Sequence, residues 1–435
     1  MARGVVSSTM WRFLACSLLP LAVNSAFVAT PPLRCANLPA SRSRPAIVAR
    51  AGKSSYTLPG LDGGDLWAGA RASTEEVREL ASAAMSTTIS APVMAQFNPA
   101  RSWLWRAWQG TIVQAVLPRE VLGNALMALL VSSVWPQAEF AGVEKVWLYS
   151  SSIISFTLSF FLGQSYTLWR NVYSKSRGIQ GRLNDVGLLC ATAAERNASA
   201  VYTDDAEDLL KTVARYVRLF HVLFYASCTR RFAPLATPTG LDELVKEGAL
   251  TEAEKGILLE SSCDHNAVLE WLTILVNTAL KDGRLVNDGA SRTGRLLNAK
   301  LVELRATYAS ISDELSGRMP LAYPQLMQLI TDLLVFFTPF ALLRSTRTRI
   351  GCVLGSALVT LFHSSILNLG KMFLDPFNNE EYGGKFGISI CVDTLLQEVN
   401  LGSVRWSRGG RSVPKGVVTH REEVSGKVAP VRLAV

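Results

Sequence analysis

The stretch Met319-Pro320-Leu321-Ala322-Tyr323-Pro324-Gln325-Leu326-Met327-Gln328-Leu329-Ile330-Thr331-Asp332-Leu333-Leu334-Val335-Phe336-Phe337-Thr338-Pro339-Phe340-Ala341-Leu342-Leu343 decides the fold class. Pro320 and Pro324 stand about one helical turn apart. Each fixes φ and removes an N–H donor, so this is a helix entry, not a helix middle. Leu326 to Leu343 is apolar over a length that crosses a bilayer, yet it holds Gln328 and Asp332. Polar groups inside a span are costly and usually face a water-filled path or a protein partner. Gln325, Gln328 and Asp332 are therefore candidate pore-facing residues.

At 435 residues the chain is long enough for two or three soluble domains. A mean hydropathy of +0.21 and 49% hydrophobic residues favour membrane spans joined by polar helices instead. The net charge of +9 does not indicate a nucleic-acid partner. Residues 1–52 hold six arginines and no acid, and without them the net charge is +3. Arg3 and Arg12 flank the start of an apolar core, Phe13 to Val23, followed by Asn24-Ser25-Ala26, the pattern of a secretory signal. Phe27 to Lys53 has arginine, serine and proline but no acid, as plastid transit peptides do. Together they resemble the bipartite presequence of algae with complex plastids, with Ala26-Phe27 at the junction. Ordinary secretion ahead of a basic stretch is the alternative. The seven cysteines contain no C-x-x-C pair, and the four histidines share no metal-ligand spacing.

Residues 53–98, rich in Gly, Ala, Ser and Thr, are expected to be a disordered arm, and 99–400 a channel-like domain. Trp103, Trp105 and Trp108 beside Arg101 and Arg106 suit a membrane interface. Spans are expected at about 113–135, 146–169, 321–343 and 350–369. Residues 170–318 read as extramembrane helices. Thr203 with Asp204, Asp205 and Glu207 marks a capped helix start, and Thr251-Glu252-Ala253-Glu254 is a capping box. Helices are expected over Val268–Leu280 and Ala290–Leu315, a loop over Ala233–Gly240, and a disordered basic tail over 401–435. Arg170, Lys175, Arg177 and Arg182 put the helical region on the positive side. Arg344, Arg347 and Arg349 then fall on the opposite side. Either one span is misassigned or these arginines form an anion-attracting vestibule.

Within span two, Ser155, Ser159 and Gly163 recur every four residues, a small-residue face for a neighbouring helix. Phe156 and Phe160 lie beside it, where core or lipid contact is the ordinary role of aromatic residues at helical spacing. Four further segments stand in order: Trp108-Gln109-Gly110-Thr111-Ile112, Trp169-x-Asn171-x-Tyr173, Pro320-Leu321-x-Tyr323-x-Gln325 and Asp375-Pro376-Phe377. Over roughly residues 100–400 this series resembles the bestrophin family of anion channels. The segment at 248–254 is more similar to the plant and bacterial branches.

The resemblance implies an all-α membrane protein with four spans and a large extramembrane helical bundle, assembled in lipid as a homopentamer around one pore. It implies a hydrophobic neck at Phe156 and Phe160, with the third position on Ser152 and Ile153 beside it, and an aperture at Met319. Animal members hold calcium in the acidic run after the Pro-Phe pair. Here Asp375 and Glu380 are the matching candidates, while Gly383 stands where the last acidic ligand would be, so calcium control is not expected. The implied function is chloride or bicarbonate conduction in a plastid membrane, the thylakoid above all. A non-conducting scaffold or regulatory subunit on the same fold is the alternative. No phosphate loop, paired catalytic carboxylates or metal cluster speaks for an enzyme.

Overall fold

The computed structural model describes residues 72–94, 111–135, 141–261, 264–286, 292–346, 348–378 and 389–414. The presequence, the Trp103–Trp108 cluster and the run Glu380–Gly384 lie outside these residues. The chain divides after Gly52, and all described residues belong to the second unit. Its regular elements are helices: α1 Thr74–Met85, α2 Ile112–Val134, α3 Ala141–Ala193, α4 Asp204–Cys228, α5 Pro238–Lys246 and α6 Glu252–Glu260. They continue as α7 His265–Lys281, α8 Arg292–Ser316, α9 Ala322–Thr346, α10 Arg349–Phe373 and α11 Val392–Arg411.

Four helices are long and apolar enough to cross a membrane: α2, α3, α9 and α10. Of these, α3, α9 and α10 pack on one another through Ile154, Leu158 and Phe161 of α3, Met327 and Leu334 of α9, and Leu367 of α10. They approach closely at Gly370, where a Cβ would lie 2.5 Å from the Phe161 ring. The helix of the second span does not end near Trp169. α3 continues unbroken for 53 residues, and its far half becomes the axis of the extramembrane bundle. Tyr166, Trp169 and Tyr173 stack along it where the two halves join, with Phe373 against them. Asn171 and Lys175 then donate to Glu314 of α8, at 3.3 and 2.9 Å.

Three sequence expectations are corrected. The arm expected over 53–98 contains α1, started by a capping box between Ser73 and Glu76. Val77, Ala81 and Ala84 recur on one face and are buried, and Asn400 donates to the carbonyls of Ala84 and Ser86. The tail expected from 401 is helical to Arg411, because Ser403 and Trp406 continue the buried spacing of Leu395, Leu396 and Val399. The expected loop Ala233–Gly240 is a 3-10 turn, Ala233–Ala236, running into α5, where Pro238 sits in the first turn and Thr237 caps the Gly240 N–H. The expected caps are present at Thr203, which accepts from Ala206, and at Thr251 with Glu254.

Glu254 does more than cap. It accepts from Arg215 at 2.5 and 2.8 Å, from the Tyr216 hydroxyl at 2.7 Å and from the Thr251 N–H at 2.9 Å. Burial pushes its carboxyl upward, but these donors outweigh burial and hold it at about 2, below its ordinary 4.5. The network therefore stabilises the fold fully above about pH 4.5 and is lost as pH falls towards 2. Glu254→Gln is expected to cost about 1.5–3 kcal/mol at neutral pH. The gap in unfolding midpoint between variant and native protein should close over that acid window, monitored by tryptophan fluorescence. A gap that stays constant with pH would disprove the assignment.

Candidate pore and its polar framework

Membrane helices must satisfy every backbone group within protein, so Pro339 inside α9 poses a problem. It has no N–H to give the carbonyl of Val335. Asn124 of α2 supplies one: its buried amide donates to Val335 O at 3.2 Å and to Thr360 Oγ1 of α10 at 2.5 Å. Trp147 of α3 likewise donates to Thr338 Oγ1 at 3.0 Å and Leu334 O at 3.3 Å. Ser155 meets His363 Nε2 at 3.0 Å, while Nδ1 of the same ring faces Val359 O at 3.0 Å. Side-chain polar groups thus lock all four spans around the proline.

Gln328 and Asp332, the candidate pore-facing residues, are half-buried and bonded to each other and to α10. Gln328 donates to both Asp332 oxygens at 2.8 Å, and Lys371 of α10 donates to Gln328 Oε1 at 2.8 Å. Beside them Asn368 donates to Glu120 Oε1 at 2.9 Å. Glu120 sits in a π-helical segment of α2, Leu117–Val121, whose wider turn re-aims the residues it carries. Lys371 and Asn368 were missed in the sequence because they stand near the end of α10, and Glu120 because it precedes the apolar run of span one. Gln325 is exposed, and Met319 is half-buried against the membrane core.

The face of α3 opposite that core is open. At 100° per residue, Ser152, Phe156 and Phe160 stand across the helix from Ile154, Leu158 and Phe161. Phe156 and Phe160 are 63% and 55% exposed, and their rings meet edge to face, centroids 4.7 Å apart. Ile153 is exposed at the margin of this stripe. Of the small-residue stripe, Ser155 touches α10, whereas Ser159 is exposed and Gly163 has open space before it. The open faces of α2 and α10 differ in kind. They present Leu122, Leu126, Leu129 and Leu130, and Ile350, Leu354, Leu358 and Phe362. α3 interleaves its phenylalanines with exposed Ser152, Ser159, Gln164 and Thr167. Gln164, whose amide has no hydrogen-bond partner among the described residues, is the signal that sequence reading passed over.

Asp375, the calcium candidate among described residues, is already engaged. Arg318 lies 3.6 Å from its carboxylate, and Asn378 donates to it at 3.2 Å. Cys190 and Cys228 are buried, and burial pushes both thiols up to about 12, which keeps them protonated.

The family profile described as "Bestrophin, RFP-TM, chloride channel" matches residues 103–399, more than half of the chain. The chain belongs to the bestrophin family. Bestrophins are chloride channels rather than enzymes. Among solved structures, a bacterial bestrophin homologue from Klebsiella pneumoniae is similar in fold, with a TM-score of 0.52 and 17% identity. That match covers 66% of this chain and 97% of the bacterial one. A solved variant of a membrane protein matches at a TM-score of 0.51 and 17% identity, covering 66% of this chain and 97% of its own. No curated protein sequence matches this bestrophin.

Proposed function

We propose that this bestrophin is an anion channel whose neck is the open face of α3. One observation carries the reading: that face mixes the phenylalanines with several hydroxyls and Gln164, whereas the open faces of α2 and α10 are mostly aliphatic. An exposed amide is costly against hydrocarbon and cheap against water or protein. Five copies arranged with α3 innermost enclose one path lined at two levels by aromatic rings. Ring edges carry partial positive charge and favour an anion, and a narrow apolar ring gates by dewetting. The neck offers no ion-specific ligand, so chloride and bicarbonate both pass. Met319 and Gln325 contribute to the mouth nearer the helical bundle.

Purified protein in liposomes is expected to carry chloride and bicarbonate flux of the same order, unaltered by calcium chelation, since Asp375 is held by Arg318. A silent protein, correctly assembled, would make it a scaffold. Steep calcium activation abolished by Asp375→Ala would reinstate a metal clasp.

The composition of residues 1–52 supports a plastid location, with the thylakoid as the membrane where balancing charge and delivering bicarbonate are useful. A fluorescent protein fused behind residues 1–52 is expected to enter the plastid of a complex-plastid alga, and Phe27→Ala to stop it in an earlier compartment. Secretion of the unaltered fusion would refute this.

A further inference from the structure

Far from the pore, the extramembrane bundle holds a cavity of about 410 Å³ between α4 and α11. Leu210, Ala214 and Met85 give it apolar lining, and Lys211, Arg215, Arg218, Arg408 and Arg411 outnumber Glu207 and Glu247 among its charged residues. Most of these cations are spent within the protein. Arg215 is held by Glu254, while Lys211 and Arg411 share Glu207 at 3.6 Å each. Two guanidinium groups are not. Neither Arg218 of α4 nor Arg408 of α11 has a carboxylate partner among the described residues.

Arg218 is set for a ligand rather than left loose. Its Nε donates to Ser403 Oγ at 2.7 Å, and Ser403 is fixed in turn by donating to Asn400 O at 2.6 Å. With Nε engaged by Ser403, the two terminal amino groups remain as a two-donor fork on a residue that lines the cavity. A fork of this kind matches two oxygens of a phosphate or carboxylate. Burial also lowers the Arg218 pKa, the mark of a cation desolvated without a counter-charge.

We infer that the Arg218–Arg408 cleft binds a soluble oxyanion of the phosphate class, which would bridge α4 to α11. The source is soluble rather than lipid. Tyr202, which lines the cleft, donates to Ala191 O of α3 at 2.9 Å. Ala191 stands roughly 33 Å along α3 from the aromatic belt at Trp169, at about 1.5 Å per residue. Headgroups do not reach that far. The site is separate from the neck, and its test does not depend on conduction.

The experiment is calorimetric titration of inorganic phosphate into the full-length protein in detergent, in chloride-free buffer, with thermal unfolding followed in parallel. One saturable site per chain is expected, with a raised unfolding midpoint. Arg218→Gln and Arg408→Gln should each weaken binding at least tenfold. Arg218→Lys, which keeps the charge without the fork, should weaken it less. Lys281→Gln, outside the cleft, should leave it unchanged. Arg408 is exposed, so its variant folds and keeps the test valid if Arg218 variants do not. Absence of saturable binding, or binding as tight in both Gln variants as in the native protein, would overturn the proposal. Binding that emerges only after removal of residues 415–435 would also overturn it, and would assign the cleft to the chain's own tail.

Discussion

Phe156→Ala and Phe160→Ala are each expected to raise single-channel conductance several-fold and to weaken discrimination among anions by size. The two rings lie one turn apart on the open side of α3, in contact with each other and largely exposed. In the proposed fivefold ring each substitution removes five phenyl groups at one level, so the constriction widens and wets more readily. The packing of the subunit should be untouched, because both side chains are exposed within it. Leu126→Ala supplies the control. Leu126 is 62% exposed on the aliphatic face of α2, and its truncation should leave conduction unaltered. Unchanged conductance and permeability ratios in both phenylalanine variants, with oligomers intact, would move the neck to another face of the chain.

Asn124→Ala is expected to lower stability by about 1–3 kcal/mol, as the loss of donors to two buried acceptors does. The reason is specific. Pro339 frees the Val335 carbonyl, and Asn124 is its substitute donor from another helix. Restoring the N–H with Pro339→Ala lets α9 satisfy Val335 by itself. The double variant Asn124→Ala/Pro339→Ala should therefore lose less than the two single losses added together, with part of the cost remaining at Thr360. Thermal unfolding in detergent measures the cycle. Strictly additive losses would show that Asn124 is a packing residue and that the carbonyl finds another donor.

Much of the architecture was legible along the chain, because it depends on neighbours three and four residues away. Four spans follow from apolar runs of bilayer length, and the starts of α4 and α6 follow from Thr203 and from the box at Thr251. The family follows from motifs in order across residues that the profile also matches. The expected arm and tail misled because low hydropathy and glycine describe a segment in isolation. α1 and α11 are held by one another, through Asn400 on the Ala84 and Ser86 carbonyls, and by burial of Val77 and Ala81.

The site divides in the same way. Spacing alone put Phe156 and Phe160 on one face of a helix, and the identity of the residues marked Gln328 and Asp332 as needing a polar surrounding. Only the tertiary structure decided that Lys371 supplies that surrounding, that Ile154, Leu158 and Phe161 take the packed side of α3, and that Gly370 admits the Phe161 ring. A helical period states which residues share a face. Which face is buried depends on partners more than 150 residues away along the chain, and no local pattern carries that information.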